Sequence, residues 1–296
     1  MIKRALLIAN PASRRGMGLI GRATRAFARA GVECDLVLTE RPGHAAEIAA
    51  ERHASYDAVF SLGGDGTAME VAGALAGTQY PLGPLPGGTG NLLARAMNIP
   101  LDLERAIVAL VKGKVMQIDL GRLSDGRRFA IAAGVGIDVT MVIDTPRWMK
   151  RFLGVLAYTV MGTRAAVAAV ARGKIIRARL TVDGVTEDHA ATSIMVANFG
   201  SLLSERLTLG PTIRADDGQL DVCLFAPRNM FDAVRIMWRM LRRNFADHPT
   251  MIYRRGRQIR IETDPPARAQ ADGELIGLTP LEISVEPRSV RLLVPS

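Results

Sequence analysis

The sequence predicts an α/β + β protein: a mostly parallel α/β sandwich over residues 1–118, then a second, largely antiparallel β-sandwich domain over residues 119–296. Three observations carry this reading. Strand-like and helix-like stretches alternate through the first part of the chain. From about Asp119 onward, β runs with polar punctuation take over. Two glycine-rich turns, Gly63-Gly64-Asp65-Gly66-Thr67 and Pro86-Gly87-Gly88-Thr89-Gly90-Asn91, each lie between an apolar run and a helix-like stretch.

The first part begins with the apolar run Ala5–Ala9, which breaks at Asn10-Pro11 and is too short for a signal peptide. Further strand-like runs are Glu33–Leu38, Ala58–Leu62 and Leu82–Leu85. They are separated by the helix-like stretches Gly18–Ala30, Ala45–His53 and Ala68–Ala76, and Leu92–Met97 and Leu103–Val111 follow. That alternation predicts a parallel sheet covered on both faces, with ligands at the carboxyl ends of its strands, where both glycine turns fall. The second part shows strand-like runs at Gln117–Leu123, Phe129–Gly134, Arg177–Val182, Ser193–Asn198, Gln219–Phe225, Gln258–Thr263 and Leu281–Val285. Asp125-Gly126 and Asp183-Gly184 read as hairpin turns, and helices are expected near 146–171 and 229–246. The extreme C-terminus is allowed to return to the first domain.

With 296 residues, 48% of them apolar, the chain can build two real cores. Its formal charge of +9 favours phosphate-bearing partners, without choosing between nucleotides, nucleic acid and anionic lipid. The only cysteines, Cys34 and Cys223, sit in apolar runs and read as buried thiols of a reducing cytosol. His44, His53, His189 and His248 show no metal spacing. Phe152–Ala171 is long enough to span a bilayer but carries Arg164, Thr159 and Thr163, which argues against a span.

At each glycine turn, main-chain N–H groups can approach an anion without a Cβ in the way, and the following helix adds its positive end. Gly64, Asp65, Gly66 and Thr67 are placed to meet phosphate oxygens. Asp65 cannot cradle a phosphate itself; it suits holding Mg²⁺ or its waters, or orienting a hydroxyl. There is no G-x-x-x-x-G-K-[ST] loop, no third glycine after Gly134-Val135-Gly136-Ile137 and no H-R-D with D-F-G, which sets aside P-loop, dinucleotide and protein-kinase readings.

Taken in order, Asn10-Pro11-Ala12-Ser13, Gly63–Thr67, Pro86–Asn91 continuing into Leu92-Leu93-Ala94-Arg95, and Asp272-Gly273-Glu274 resemble the diacylglycerol kinase catalytic-domain family, which includes sphingosine kinases and soluble bacterial lipid kinases. The resemblance covers nearly the whole chain and implies a first domain of NAD kinase-like fold. It implies ATP contacts at Asn10, Pro11, Ala12, Ser13, Thr39, Gly63, Gly64, Gly66, Thr67, Glu70, Gly88, Thr89 and Asn91. It also implies a catalytic set of Asp65, Asp272 and Glu274, with Glu274 accepting the proton of a lipid hydroxyl. Asp217 matches a Mg²⁺ site completed by the main-chain carbonyls of Arg214 and Gln219. Two departures bear on this. Arg14 stands where the family usually has glycine, so loop shape or ATP affinity is expected to differ, and Leu92-Leu93 replaces the frequent Asp-Phe, which weakens a claim for diacylglycerol in particular.

Two segments are strongly basic. Between Asp144 and Asp183 there are eight Lys or Arg and no carboxylate, with Arg147, Lys150 and Arg151 around Trp148. Ala233 to Arg260 holds eight Arg and the single acid Asp247, around Trp238. On a helical wheel Phe231, Val234, Met237, Trp238, Leu241 and Phe245 share one face beside Arg235, Arg239, Arg242 and Arg243, a pattern suited to an interfacial helix or to a core-packed one. The expectation is an ATP- and Mg²⁺-dependent lipid kinase acting on a diacylglycerol- or sphingoid-like hydroxyl. It is expected to be cytoplasmic and peripheral on anionic membrane, without nucleic acid as partner and with a homodimer allowed. The alternatives are an NAD kinase-like small-molecule kinase and an inactive nucleotide-binding regulator.

Overall fold

The computed structural model describes residues 2–12, 16–136, 175–204, 207–211 and 213–296. Ser13, Arg14, the expected helix near 146–171 and the basic residues around Trp148 lie outside the described residues. The chain divides into two compact units, Met1–Leu120 with Pro287–Ser296, and Gly121–Glu286.

In the first unit, strands β1 (Arg4–Ala9), β2 (Glu33–Leu38), β3 (Ala58–Gly63) and β4 (Leu82–Pro86) run parallel in the order β2-β1-β3-β4. The last strand of the chain, Leu281–Val294, joins beyond β4, with Leu292 beside Leu82. Helices α1 (Gly16–Arg29), α2 (His44–Arg52), α3 (Asp65–Leu75), α4 (Leu92–Ala96) and α5 (Leu103–Val111) complete it. β1 and β3 are apolar along their length because they are central and covered on both faces. Phe27 of α1 meets Phe60 of β3 edge to face at 4.8 Å, both fully buried. Gly83 of β4 lies under Phe60, where a Cβ would come within 2.4 Å of the ring.

The second unit is a β-sandwich. β5 (Lys114–Leu123) begins in the first unit and enters this one at Gly121, and the strands that follow are β6 (Arg128–Phe129), β7 (Ala132–Gly136), β8 (Ile176–Val182), β9 (Val185–Ala191), β10 (Ser193–Ala197), β11 (Ser201–Ser204), β12 (Leu207–Thr208) and β13 (Leu220–Phe225). Helix α6 (Met230–Leu241) follows, then β14 (Met251–Gly256), β15 (Gln258–Asp264), β16 (Arg268–Ala271), β17 (Glu274–Leu278) and β18 (Leu281–Val294). One sheet has the order β14-β13-β10-β7-β16-β17, and facing it are β18, β15, β8 and β9. Alternation assigns the faces: Ile194, Val196, Leu220, Val222 and Leu224 point to a core shared with Leu180, Ile259, Ile261 and Ile283. Met195, Ala197 and Cys223 point the other way and are covered by Ile236 and Met240 of α6.

The expected run Phe129–Gly134 is split into β6 and β7. The physical cause is Asp272, whose carboxylate accepts the N–H groups of Ala130, Ile131 and Ala132 and so takes them from any ladder. The strands β9, β14 and β16 are polar or arginine-rich, and β17 holds only the short, mostly exposed run Leu275-Ile276-Gly277-Leu278, broken by glycine, so none offers a long apolar run to a sequence reading. Asp183-Gly184 does form the hairpin turn between β8 and β9, both residues at positive φ. The expected helix 229–246 stops at Leu241, with Arg243 left-handed and Asn244 N–H returning to Arg239 O at 2.9 Å, so Phe245 leaves the helix and is buried.

Candidate active site

In the first unit the chain leaves β1 for β2 on one side and β3 for β4 on the other, so the sheet has its topological switch between β1 and β3. Open α/β sheets bind ligands outside the strand ends at that point. Asn10 follows β1 there, and its Nδ2 donates to Thr67 Oγ1 at 3.4 Å across the switch, while its Oδ1 accepts the Ala12 N–H at 2.9 Å and shapes the Pro11 turn. Thr39, after β2, is buried, and its N–H donates to Ala9 O at 2.9 Å.

The two glycine turns lie directly on each other. A Cβ on Gly87 would come within 2.8 Å of Gly63 N, and one on Gly88 within 2.6 Å of Gly64 Cα. These glycines are therefore needed for backbone contact between the turns, quite apart from any ligand. Asn91 closes the second turn by accepting the Gly88 N–H at 2.9 Å and donating to Gly88 O at 3.0 Å, in a left-handed conformation. Thr89 stands exposed at the tip.

Asp65 joins the turns. Its Oδ1 accepts the N–H of Leu92 at 2.5 Å and of Leu93 at 3.4 Å, so the aspartate of the first turn caps the helix that follows the second. Burial pushes its carboxyl above the usual carboxylate range, and the N–H groups of Leu92, Leu93 and Asn91 pull it back only in part. α3 itself has Gly64 at its N-cap and no side-chain cap, leaving its positive end open beside the switch point. Glu70 does not face this end. Its two carboxylate oxygens accept the N–H groups of Gly43 and Ala45, at 3.0 and 3.1 Å, and fix the start of α2.

In the second unit Asp272 and Gly273, both at positive φ, form the turn between β16 and β17. Asp272 is held by the three N–H groups of residues 130–132 at 2.8–3.0 Å, and Glu274 stands exposed at the first position of β17. The turn is thus anchored at one carboxylate while the other faces outward.

Asp217 lies in the loop before β13. Its Oδ1 accepts the Gln219 N–H at 3.1 Å and its Oδ2 takes the Arg255 guanidinium, while the Arg214 side chain turns to Asp216 at 3.0 Å. Asp221, fully buried on β13, sits opposite Arg255 in the β13–β14 register. Tyr253 O–H donates to its Oδ1, and its Oδ2 has no hydrogen-bond partner among the described residues. Burial raises the Asp221 carboxyl to about 6. As placed, these residues do not fit a divalent ion at Asp217, because Arg255 already neutralises the charge such an ion would meet. Among the described residues no group of three His, Cys, Asp or Glu is arranged around a metal position. Sequence reasoning missed Asp221, Tyr253 and Arg255; the signal was the spacing of an arginine-rich strand, β14, that had not been recognised as a strand.

This architecture defines a two-unit protein in which a parallel α/β unit with a glycine-lined switch point is joined to a β-sandwich. A crystal structure of a diacylglycerol kinase from Bacillus anthracis str. Sterne shares the fold at TM-score 0.73 and 20% identity, over 99% of this chain and 97% of that one. A second structure from the same organism gives TM-score 0.76 at 21% identity. Residues 4–123 match the model of the diacylglycerol kinase catalytic domain, and residues 130–294 match that of the YegS C-terminal NAD kinase beta sandwich-like domain. The chain belongs to the diacylglycerol kinase catalytic-domain family, as its motifs had indicated. It is 29% identical over 306 residues to a protein named diacylglycerol kinase in Staphylococcus aureus, covering all of this chain and 94% of that one. It is also 29% identical over 241 residues to an uncharacterized protein of Synechocystis sp., of whose length it spans about half, 54%.

Proposed function

We propose that the chain is an ATP-dependent kinase that transfers the γ-phosphoryl group to a hydroxyl of a diacylglycerol- or sphingoid-like lipid. The observation that carries this reading is the uncapped N-terminus of α3 at the switch point, lined by glycines that two opposed turns bring together. In this reading the unit of Met1–Leu120 with Pro287–Ser296 binds the nucleotide and the unit of Gly121–Glu286 the lipid. ATP arrives as its Mg²⁺ complex, the metal supplying charge neutralisation between the phosphates. Main-chain N–H groups from Gly64 to Thr67 receive the phosphates, with Asn10, Thr39 and Gly88–Asn91 shaping the pocket around them. Asp65 acts by holding the two turns in register. Glu274 accepts the proton of the attacking hydroxyl as the oxygen–phosphorus bond forms and ADP leaves, and Asp272 fixes the turn that presents it.

Relatives that carry the diacylglycerol kinase name favour a glycerolipid acceptor, whereas Leu92-Leu93 keeps a sphingoid base in contention. No helix among the described residues is long and apolar enough to cross a membrane, which suits a cytoplasmic enzyme that visits its surface. The test is transfer of radiolabelled phosphate from ATP to a lipid panel in mixed micelles. Turnover of one lipid class is expected, and Glu274→Gln should lower kcat on the order of 10²-fold or more while nucleotide affinity stays within about twofold. A near-normal kcat in that variant discards Glu274 as the base. Nucleotide binding without transfer to any lipid would favour the regulator reading.

A further inference from the structure

Helix α6 has two apolar faces, and the sandwich uses only one. Ala233 is buried, and Ile236 and Met240 are buried against Met195, Cys223 and Met251. Around the other side, Phe231 is 81% exposed, Trp238 56%, Val234 54% and Leu241 39%. At about 100° per residue these four share an arc of about 80°, and Met230, also exposed, extends it. An isolated exposed leucine needs no explanation, but a contiguous strip led by Phe and Trp marks an interaction surface.

The charge beside the strip selects its occupant. Arg242 and Arg235 come next around the wheel, and the Arg242 guanidinium lies 4.5 Å over the Trp238 ring, stacked on it rather than spent on a carboxylate. The only acid of the helix, Asp232, is turned inward, buried and paired with Arg228 at 2.9 Å. Arg239 is engaged at the helix end, donating to Ala246 O and Asn244 Oδ1, which leaves Arg235 and Arg242 as the cations bordering the apolar strip. Bulky aromatic and aliphatic side chains along one arc with arginines along the next are what a helix lying in a bilayer interface requires: the apolar side chains enter the acyl boundary while the guanidiniums stay at phosphate level.

We infer that α6 is a membrane-docking helix, which seats its Phe231–Val234–Trp238–Leu241 face in the surface of an anionic bilayer with Arg235 and Arg242 on the lipid phosphates. The inference deepens the lipid-kinase reading, since a water-insoluble acceptor must be met at a surface, and it rests on that reading for its purpose though not for its geometry.

The experiment uses the full chain with vesicles of phosphatidylcholine alone and of phosphatidylcholine with phosphatidylglycerol in equal parts. Sedimentation with the anionic vesicles, weakened by salt, is expected. Arg235→Gln with Arg242→Gln should weaken it about thirtyfold, and Phe231→Ser with Trp238→Ser should abolish it. Both pairs alter exposed positions, so unchanged melting confirms that they fold. In a Trp148→Phe background, brominated lipid should quench Trp238 fluorescence. Both pairs should keep turnover of a short-chain acceptor dissolved as monomers while losing turnover of the long-chain lipid in vesicles. Sedimentation of the Phe231/Trp238 variant equal to that of the parent overturns the inference even if the parent phosphorylates lipid. Conversely, α6-dependent vesicle binding by a parent that phosphorylates no lipid upholds the docking and removes the kinase reading. Concentration-dependent self-association lost in the Phe231/Trp238 variant, with no vesicle binding by the parent, would reassign the face to a second copy of the chain and overturn the inference.

Discussion

Asp65 in the first unit and Asp272 in the second are each followed by glycine, and each gives its carboxylate to the main chain of a segment far away in sequence. Asp65 takes the N–H groups of Leu92 and Leu93; Asp272 takes those of Ala130, Ile131 and Ala132. The difference lies in how completely each is committed. Asp272 is bound by three N–H groups at 3.0 Å or less, on a turn whose backbone is left-handed. Asp65 has one short bond, to the Leu92 N–H, one long one, to the Leu93 N–H, and a weaker pull from the Asn91 N–H, and its Oδ2 lies 2.7 Å from where a Cβ on Gly90 would stand. An aspartate beside a candidate reaction centre is readily taken for a reacting group. Each serves as a clasp and stands beside a group left open: the uncapped start of α3 after Gly64, and Glu274 on the exposed side of its turn.

The sharpest way to break the comparison is Asp272→Ala. Charge-assisted hydrogen bonds contribute about 1.5–3 kcal/mol each, so the second unit should lose about 3 kcal/mol or more in a urea melt, and turnover should fall with the misplaced Glu274. Unchanged stability would show that the three bonds hold nothing. Asp65→Ala should cost less, about 2 kcal/mol, and should weaken nucleotide binding measured by calorimetry, because the two turns separate. Asn91→Ala removes the pair of bonds to Gly88 and leaves alanine in a left-handed conformation, for an expected loss of about 1 kcal/mol in scanning calorimetry. The smallest effect is a pH trend. Asp65 is raised above its unfolded value, so the folded state holds that proton more tightly, and stability is gained as pH falls through the folded value and is absent above it. Asp65→Asn, which resembles the protonated form, should therefore compare best with the parent at neutral pH, and its relative standing should decline as the pH is lowered into the carboxylate range. A parallel pair of pH–stability curves would mean that Asp65 does not titrate with folding.

The first unit was largely legible because its signals are local. The apolar runs Ala5–Ala9, Ala58–Leu62 and Leu82–Leu85 are buried on both faces, and the more exposed edge strand Glu33–Leu38 and the helix Leu103–Val111 form with the limits the pattern predicts. The second unit was legible only where strands alternate or run apolar. β14, with Arg254 and Arg255, is a strand because its alternate residues Met251 and Tyr253 pack beneath α6, a fact that depends on the partner and not on the run itself. The family and the glycine turns were readable from residue types in order. The work done inside the site was not: the mutual packing of Gly63 with Gly87, the clasp of Asp65 on Leu92 and the ion pair of Asp217 with Arg255 all join positions far apart in the chain. The wheel of α6 placed Phe231, Val234, Trp238 and Leu241 on one face, but only burial decided that this face looks outward.

The last strand has a consequence for synthesis. Leu281–Glu286 belongs to the second unit and Pro287–Val294 to the first, where Leu292 pairs with Leu82 of β4. A ribosome releases β4 long before its neighbour, and the whole sandwich, from Gly121 to Glu286, is made in the interval. Until then β4 presents an unpaired edge, and the unit that begins the chain is the one completed last. Loss of the final ten residues, Pro287–Ser296, would thus strike the nucleotide unit and not the sandwich beside which they are written, leaving a nascent chain with an open parallel edge for chaperones to guard.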